Sequence, residues 1–401
     1  MTTSPRKLLS FTFDNSLLLL AGTMVAVVWA NLDYASYEHV VQPLRFWVND
    51  VGMVFFFALA AKEVFEAMLP SGPLASLRRA ATPLAAAFGG MVAPAIIYAA
   101  LASTLGPGTL LRGWAIPCAT DIAFSAMVAR VIYRSGHPAI PFLYLLAIAD
   151  DALGLIILGV FYPSGALSAF MLASFMTPAL LLAFGLRHRG TRSVWPYLVG
   201  PGTLSWAALY WGGFHPALAL VPIVPFMPHS SRDLGLFEPR EEFQTDTLNR
   251  FEHWWAIPVQ FVLLLFGFGN AGVPFTQIGP GTYYVLTALL VGKPIGILFL
   301  SSAARLLGAR LPSELRIGDL FVVGVAASIG FTVSLFFASA AFLPGVALAE
   351  TKMGALLSFV AAPLALFASR VLRVRSSGRT HQPRSSISGL TCRPTKDHHR
   401  S

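Results

Sequence analysis

The chain has 401 residues, of which 55% are hydrophobic and only 12% charged, with a formal net charge of +9. Soluble domains carry about 25% charged residues. The shortfall excludes one large water-soluble core and indicates a polytopic membrane protein. The positive charge suggests nucleic acid at first sight, but the positions of the charges exclude that partner.

Apolar segments of near-spanning length recur at roughly 12–30, 50–69, 82–103, 114–133, 140–162, 165–186, 194–211, 214–227, 254–274, 282–303, 318–343 and 350–372. A span needs about 20 residues, so most of these qualify, and the short segments 194–211 and 214–227 are expected to be tilted or half-buried. The expected fold is all-α, with about twelve transmembrane helices in one membrane domain over 1–375. Met1 to Asn15 lacks a small-residue cleavage site after its first apolar run, so the first span is expected to be retained. Residues 376–401 are rich in Arg, Ser, Thr and His, and read as a disordered basic tail. The two cysteines, Cys118 in a predicted helix and Cys392 in that tail, are not expected to form a disulfide.

Placing the N-terminus inside puts nearly all of the 28 basic residues in inner loops and tails. Only Arg45, Arg112 and Lys352 then fall in outer loops, while Lys62 and Lys293 lie within helices. The positive-inside rule therefore predicts both termini in the cytoplasm and an even number of spans.

Four charges interrupt the apolar runs. Asp150 and Asp151 are adjacent, Asp121 lies alone upstream and Lys293 alone downstream. Each costs from about 2.5 to over 10 kcal/mol at mid-membrane, and such groups usually serve ion or proton movement. Two segments also carry helix-weakening or polar residues near mid-span: Pro117, Thr120 and Asp121 in one, and Gly324, Ser328, Gly330 and Thr332 in the other. They take matching places as the middle members of triplets 82–162 and 282–372, the signature of an inverted-repeat transporter with its site at the midplane. Small residues alone would also suit close helix packing. Crossing broken helices would bring like half-helix ends together, with Asp121 neutralising paired N-termini and Lys293 paired C-termini.

The stretch Gly113-Trp114-Ala115-Ile116-Pro117-Cys118-Ala119-Thr120-Asp121 resembles the fourth-helix motif of the NhaA sodium/proton antiporters. Ala149-Asp150-Asp151-Ala152 is similar to that family's paired-aspartate motif, Gly292-Lys293-Pro294 to its tenth-helix lysine motif and Gly330-Phe331-Thr332 to its broken eleventh helix. Gly89-Gly90-Met91, Phe268-Gly269-Asn270-Ala271-Gly272 and Glu252-His253 extend the resemblance, which runs in order from about Asn49 to Arg373. It implies two crossing broken helices and Na+(Li+)/H+ exchange in a bacterial inner membrane, serving pH homeostasis, with no cofactor and a homodimeric state. It also implies that Asp151 binds the cation most directly, that Asp150 pairs with Lys293, and that Asp121 and Thr120 form the charged break. Glu63, Glu252 and His253 correspond to pH-sensing positions.

Three departures stand out. The loop Asn31 to Val48 is too short for the β-hairpin of the best-known members, Ala256 replaces a histidine of the pH-sensing cluster, and Lys62 precedes Glu63 with Glu66 out of register.

Oxygen ligands suit hard cations, so the Asp150 and Asp151 carboxylates, Thr120 and freed backbone carbonyls make a plausible sodium cage that protonation destroys. Adjacent helical residues point about 100° apart, so both carboxylates can flank one cavity. The expected function is electrogenic antiport by alternating access, not enzyme catalysis. A sodium-coupled symporter of an organic anion is one alternative, and an intramembrane aspartyl protease using Asp121 with Asp151 is another.

Overall fold

Apolar runs punctuated by Gly, Pro and Asn become helices because, without water, the backbone must satisfy its own hydrogen bonds. The computed structural model describes residues 17–70, 72–134, 136–229, 246–309 and 315–374, apart from the side chains of 77–79. Every regular element among them is helical. The expected tail 376–401 and the start of the first span lie outside the described residues.

The order is α1 (Leu17–Leu32), α2 (Tyr34–Phe46), α3 (Met53–Met68), α4 (Leu77–Thr104), α5 (Ile122–Ile132), α6 (Ala139–Phe161), α7 (Ala169–His188), α8 (Thr203–Gly212) and α9 (Thr247–Asn270). It continues with α10 (Pro280–Thr287), α11 (Lys293–Leu306), α12 (Ile317–Ala327), α13 (Phe331–Ala341), α14 (Val346–Leu357) and α15 (Ala361–Val371). Six helical stretches are long and apolar enough to cross a membrane, and two bent pairs raise this to as many as eight among the described residues. Within the described residues the apolar segments lie mostly on helical backbone, but 114–133 is interrupted after Cys118 and 214–227 has only two short 3-10 turns, Pro216–Leu218 and Val224–Phe226.

Two sequence expectations need correction. Asn31 to Val48 is a helix rather than a loop: Asp33 caps α2 by accepting from Ser36 N at 3.1 Å, and a wide π turn, Trp47–Gly52, carries the chain on into α3. Lys352 is not an outer-loop residue but a buried residue of α14. Its long apolar stem allows burial that a count of charges cannot foresee.

Another π turn, Ala288–Gly292, joins α10 to α11 immediately before Lys293 and Pro294. Pro294 has no N–H to donate and its ring crowds the preceding turn, so the backbone widens there instead of breaking. This widened point lies against α4. A Cβ on Gly89 would collide with the Gly296 carbonyl, and one on Gly296 with the Gly89 carbonyl, so the two backbones touch through paired glycines.

The broken spans cross. Gly108–Cys118 meets α5 at 52°, and α12 meets α13 at 51°. An unwound helix exposes N–H and C=O groups that would each cost several kcal/mol unpaired in hydrocarbon. Each break satisfies the other: Asp121 N donates to Ile329 O at 2.7 Å, and Ser334 Oγ donates to Ile116 O at 2.6 Å. Gly330 N reaches Ser358 Oγ at 3.3 Å, which ties the crossing to the turn between α14 and α15. The result is an all-α polytopic bundle with two broken, crossing helices at its centre.

Two outcomes follow from this packing. Gly89→Leu forces α4 and α11 apart and is expected to cost about 1–3 kcal/mol or more, read as a lower melting midpoint in detergent. Ser334→Ala leaves the buried Ile116 carbonyl without its donor and is expected to cost about 1–3 kcal/mol, read by the same melt.

Candidate functional site

The crossing supplies the floor of the site and α6 supplies its acids. Asp150 is 1% exposed and Lys293 is 0% exposed, so both charges lie inside the protein. Lys293 Nζ lies 3.2 Å from Asp150 Oδ2, and Thr120 Oγ1 donates to the same oxygen at 2.6 Å. Among the described residues, Asp150 Oδ1 is buried without a partner. Lys293 has a second acceptor, the Cys118 carbonyl at 2.6 Å. That carbonyl ends the 3-10 turn Ile116–Cys118, so its orphan lone pair is one the break creates. Cys118 itself is a free, buried thiol whose Sγ donates to Met91 O at 3.4 Å.

Asp121 caps α5, accepting from Phe124 N at 3.4 Å with Oδ1. Its Oδ2 accepts from Thr332 N at 3.1 Å and also from the Thr332 hydroxyl. Thr332 lies in the first turn of α13, so one carboxylate serves the N-termini of both second half-helices. This is the arrangement that crossing like ends require. Among the described residues, Lys293 hydrogen-bonds one of the two C-terminal ends, through Cys118 O, and not the end of α12. Both Asp121 oxygens accept hydrogen bonds in these caps.

Asp151 points differently from its neighbour. It is half-buried and, with Asp150, lines a gap of about 10 Å³ walled by Phe56, Phe57, Val333 and Phe337. A gap of that size accommodates about one water-sized group. Asp150, Asp151, Asp121, Thr120 and Lys293 are thus brought to one place by α6, the crossing and α11.

Of the pH-sensing candidates, Glu63 and Glu252 gather around Lys62, and His253 stands apart. Glu252 Oε2 lies 2.7 Å from Lys62 Nζ, and Glu66 Oε2 lies 2.7 Å from the same nitrogen, so Lys62 bridges α3 and α9. Glu66, which sequence register sets aside, is a full member of this group. The i,i+4 spacing of Lys62 and Glu66 on a helix was the available signal. Glu63 forms no ion pair among the described residues but lies within electrostatic reach of Lys62, Glu66, Glu252 and Asp151, whereas His253 is exposed and unpaired there. Thr332 is the other residue whose part the sequence undersold, since only the crossing reveals that it faces Asp121.

Known proteins resemble this chain over most of its length. The family model described as Na+/H+ antiporter 1 matches residues 6–369. The Na(+)/H(+) antiporter NhaA of Desulfitobacterium hafniense (strain DSM 10664 / DCB-2) is 45% identical over 379 residues, covering 92% of this chain and 97% of that protein. Its counterpart from Geobacter metallireducens is 45% identical over 381 residues, covering 92% and 99%. Among solved structures, the sodium proton antiporter MjNhaP1 from Methanocaldococcus jannaschii at pH 8 superposes with a TM-score of 0.53 at 14% identity, covering 90% of this chain and 92% of that one. That likeness is one of fold. The match of the family model across nearly the whole chain, together with relatives at this identity, shows that the chain belongs to the Na+/H+ antiporter 1 family.

Proposed function

We propose that this protein is a secondary antiporter that exchanges sodium, or lithium, for protons at Asp150 and Asp151 by alternating access. One observation carries the reading: a fully buried Asp150 held by Lys293 and Thr120, next to an Asp151 that lines a gap about the size of one small group. A dehydrated cation needs oxygen ligands. Asp151, Asp150, the Thr120 hydroxyl and carbonyls of the broken segment offer them. Protons compete for the same carboxylates, so loading with one ion excludes the other, and antiport follows if only loaded forms change access. Asp121 positions both half-helices and stays out of the exchange.

The bound sodium takes over Asp150 Oδ2 from Lys293. If sodium displaces the Asp151 proton and Lys293 also gives up its own, two protons move against one sodium and each cycle carries one net charge. We place the protein in a bacterial inner membrane with both termini in the cytoplasm, following the positive-inside distribution of Arg and Lys. On that orientation Lys62, Glu66 and Glu252 stand at the cytoplasmic end of α3. Residues 1–375 act as the transport domain and 376–401 as a basic tail.

The first test is proton flux in everted vesicles. Asp151→Asn and Asp150→Asn are expected to abolish sodium-driven exchange while the protein still reaches the membrane, since Asn keeps the shape but cannot exchange a proton. Wild-type-like flux in Asp151→Asn overturns the reading. The apparent sodium affinity should fall about tenfold per pH unit for each proton that sodium displaces, so by at most about a hundredfold per unit, and level off above the coupled titration of the group. A much steeper dependence would assign control to the Lys62, Glu66 and Glu252 group instead.

The second test is current from reconstituted protein on a supported membrane. Lys293→Ala is expected to lose charge movement or shift the pH profile more than it weakens sodium affinity. Equal currents at an unchanged pH profile would make Lys293 a structural partner.

A further inference from the structure

The helical path from Tyr34 through the π turn to Met68 places Lys62 at one end of the bundle and α2 at the other. At the α2 end lies a cavity of about 280 Å³, lined among others by Tyr34, Glu38, Arg45, Gln277 and Lys352. None of its lining residues lines the gap beside Asp150 and Asp151, and it takes no part in the exchange described above.

Its charges do not balance. Arg45 and Glu38 neutralise each other through a two-point pair at 2.5 and 2.7 Å. Lys352, only 4% exposed, has no carboxylate within 4.0 Å among the described residues. Its Nζ has one hydrogen-bond partner there, the Asn270 amide oxygen at 3.2 Å. That oxygen already accepts from Ser339 Oγ at 3.1 Å and from Asn49 Nδ2 at 3.3 Å. An ammonium has three protons to donate, and this shared amide oxygen meets one of them. A buried charge without a counter-charge is costly, and the space beside Lys352 is the cavity.

We propose that this cavity is a binding site for a small monovalent anion such as chloride, with Lys352 as its counter-ion. The charge count selects the valence. One unpaired positive charge is cancelled by one negative charge, whereas a divalent oxyanion would leave an excess beside Glu38. Tyr34 and Gln277 line the same space, and their side chains carry neutral donors. Loaded with its anion, this end of the bundle is electrically neutral, and Lys352 stays charged and fixed between α9, α13 and α14.

The test is the thermal stability of the purified full-length protein in detergent, at constant ionic strength, with chloride replacing gluconate. For a site filled at about 100 mM chloride, the melting midpoint is expected to rise by roughly 1–3 °C. The rise should saturate, occur with bromide and not with sulfate, persist in Lys352→Arg and vanish in Lys352→Gln. No chloride-specific rise, or an equal rise in Lys352→Gln, overturns the proposal and leaves Lys352 as an uncharged amine. If Lys352→Gln does not fold, crystals of the wild type grown in bromide decide the matter. An anomalous peak in contact with Lys352 Nζ supports the site, and its absence there refutes it.

Discussion

A helix that breaks inside an apolar bundle must find partners for the polar groups it releases, and the centre of this molecule is organised around that requirement. The breaks before α5 and before α13 cross so that each completes the other, through Asp121 N with Ile329 O and Ser334 Oγ with Ile116 O. Once the breaks cross, like half-helix ends face one another, and the partial charges need a carboxylate on one side and a cation on the other. Asp121 meets the first need by binding both N-terminal turns, and Lys293 meets part of the second at Cys118 O. The buried charges are therefore consequences of the break as much as ornaments upon it.

Much of this was legible in the sequence, for identifiable reasons. Apolar runs of spanning length and isolated charges are strong signals, because hydrocarbon tolerates neither open backbone nor stray ions. Asp150, Lys293 and Thr120, separated by up to 173 positions, were grouped from composition and motif, and the structure joins them at 2.6–3.2 Å. The crossing of the two breaks was likewise anticipated from their matching places in the two triplets.

What the sequence withheld depends on tertiary placement. The helix α2 carries Glu38, Arg45 and a proline, so its residues read as a loop. It is held by Tyr37, whose hydroxyl donates to Phe268 O at 2.6 Å, and by the Glu38–Arg45 pair. Lys352 counts as a loop charge until its α14 neighbours are seen to cover it. The Lys62, Glu66 and Glu252 group joins helices 190 positions apart, and no local pattern specifies that α9 brings Glu252 to Lys62. The segment 214–227 has the hydropathy of a span, but His215 and three prolines hold it in short turns.

The glycine contact between α4 and α11 also has a kinematic meaning. Two helices whose backbones touch at Gly89 and Gly296 interlock like meshed teeth, and neither can slide or roll without first lifting away. Because α11 carries Lys293 and α4 packs on α6, which carries both carboxylates, lysine and acids ride on one stiff frame. Any rearrangement that opens the acids first to one side and then to the other is thereby directed to softer seams. The aromatic seam where Phe57 meets Phe336, between α3 and α13, is one such place, since ring faces can shear past one another where touching backbones cannot.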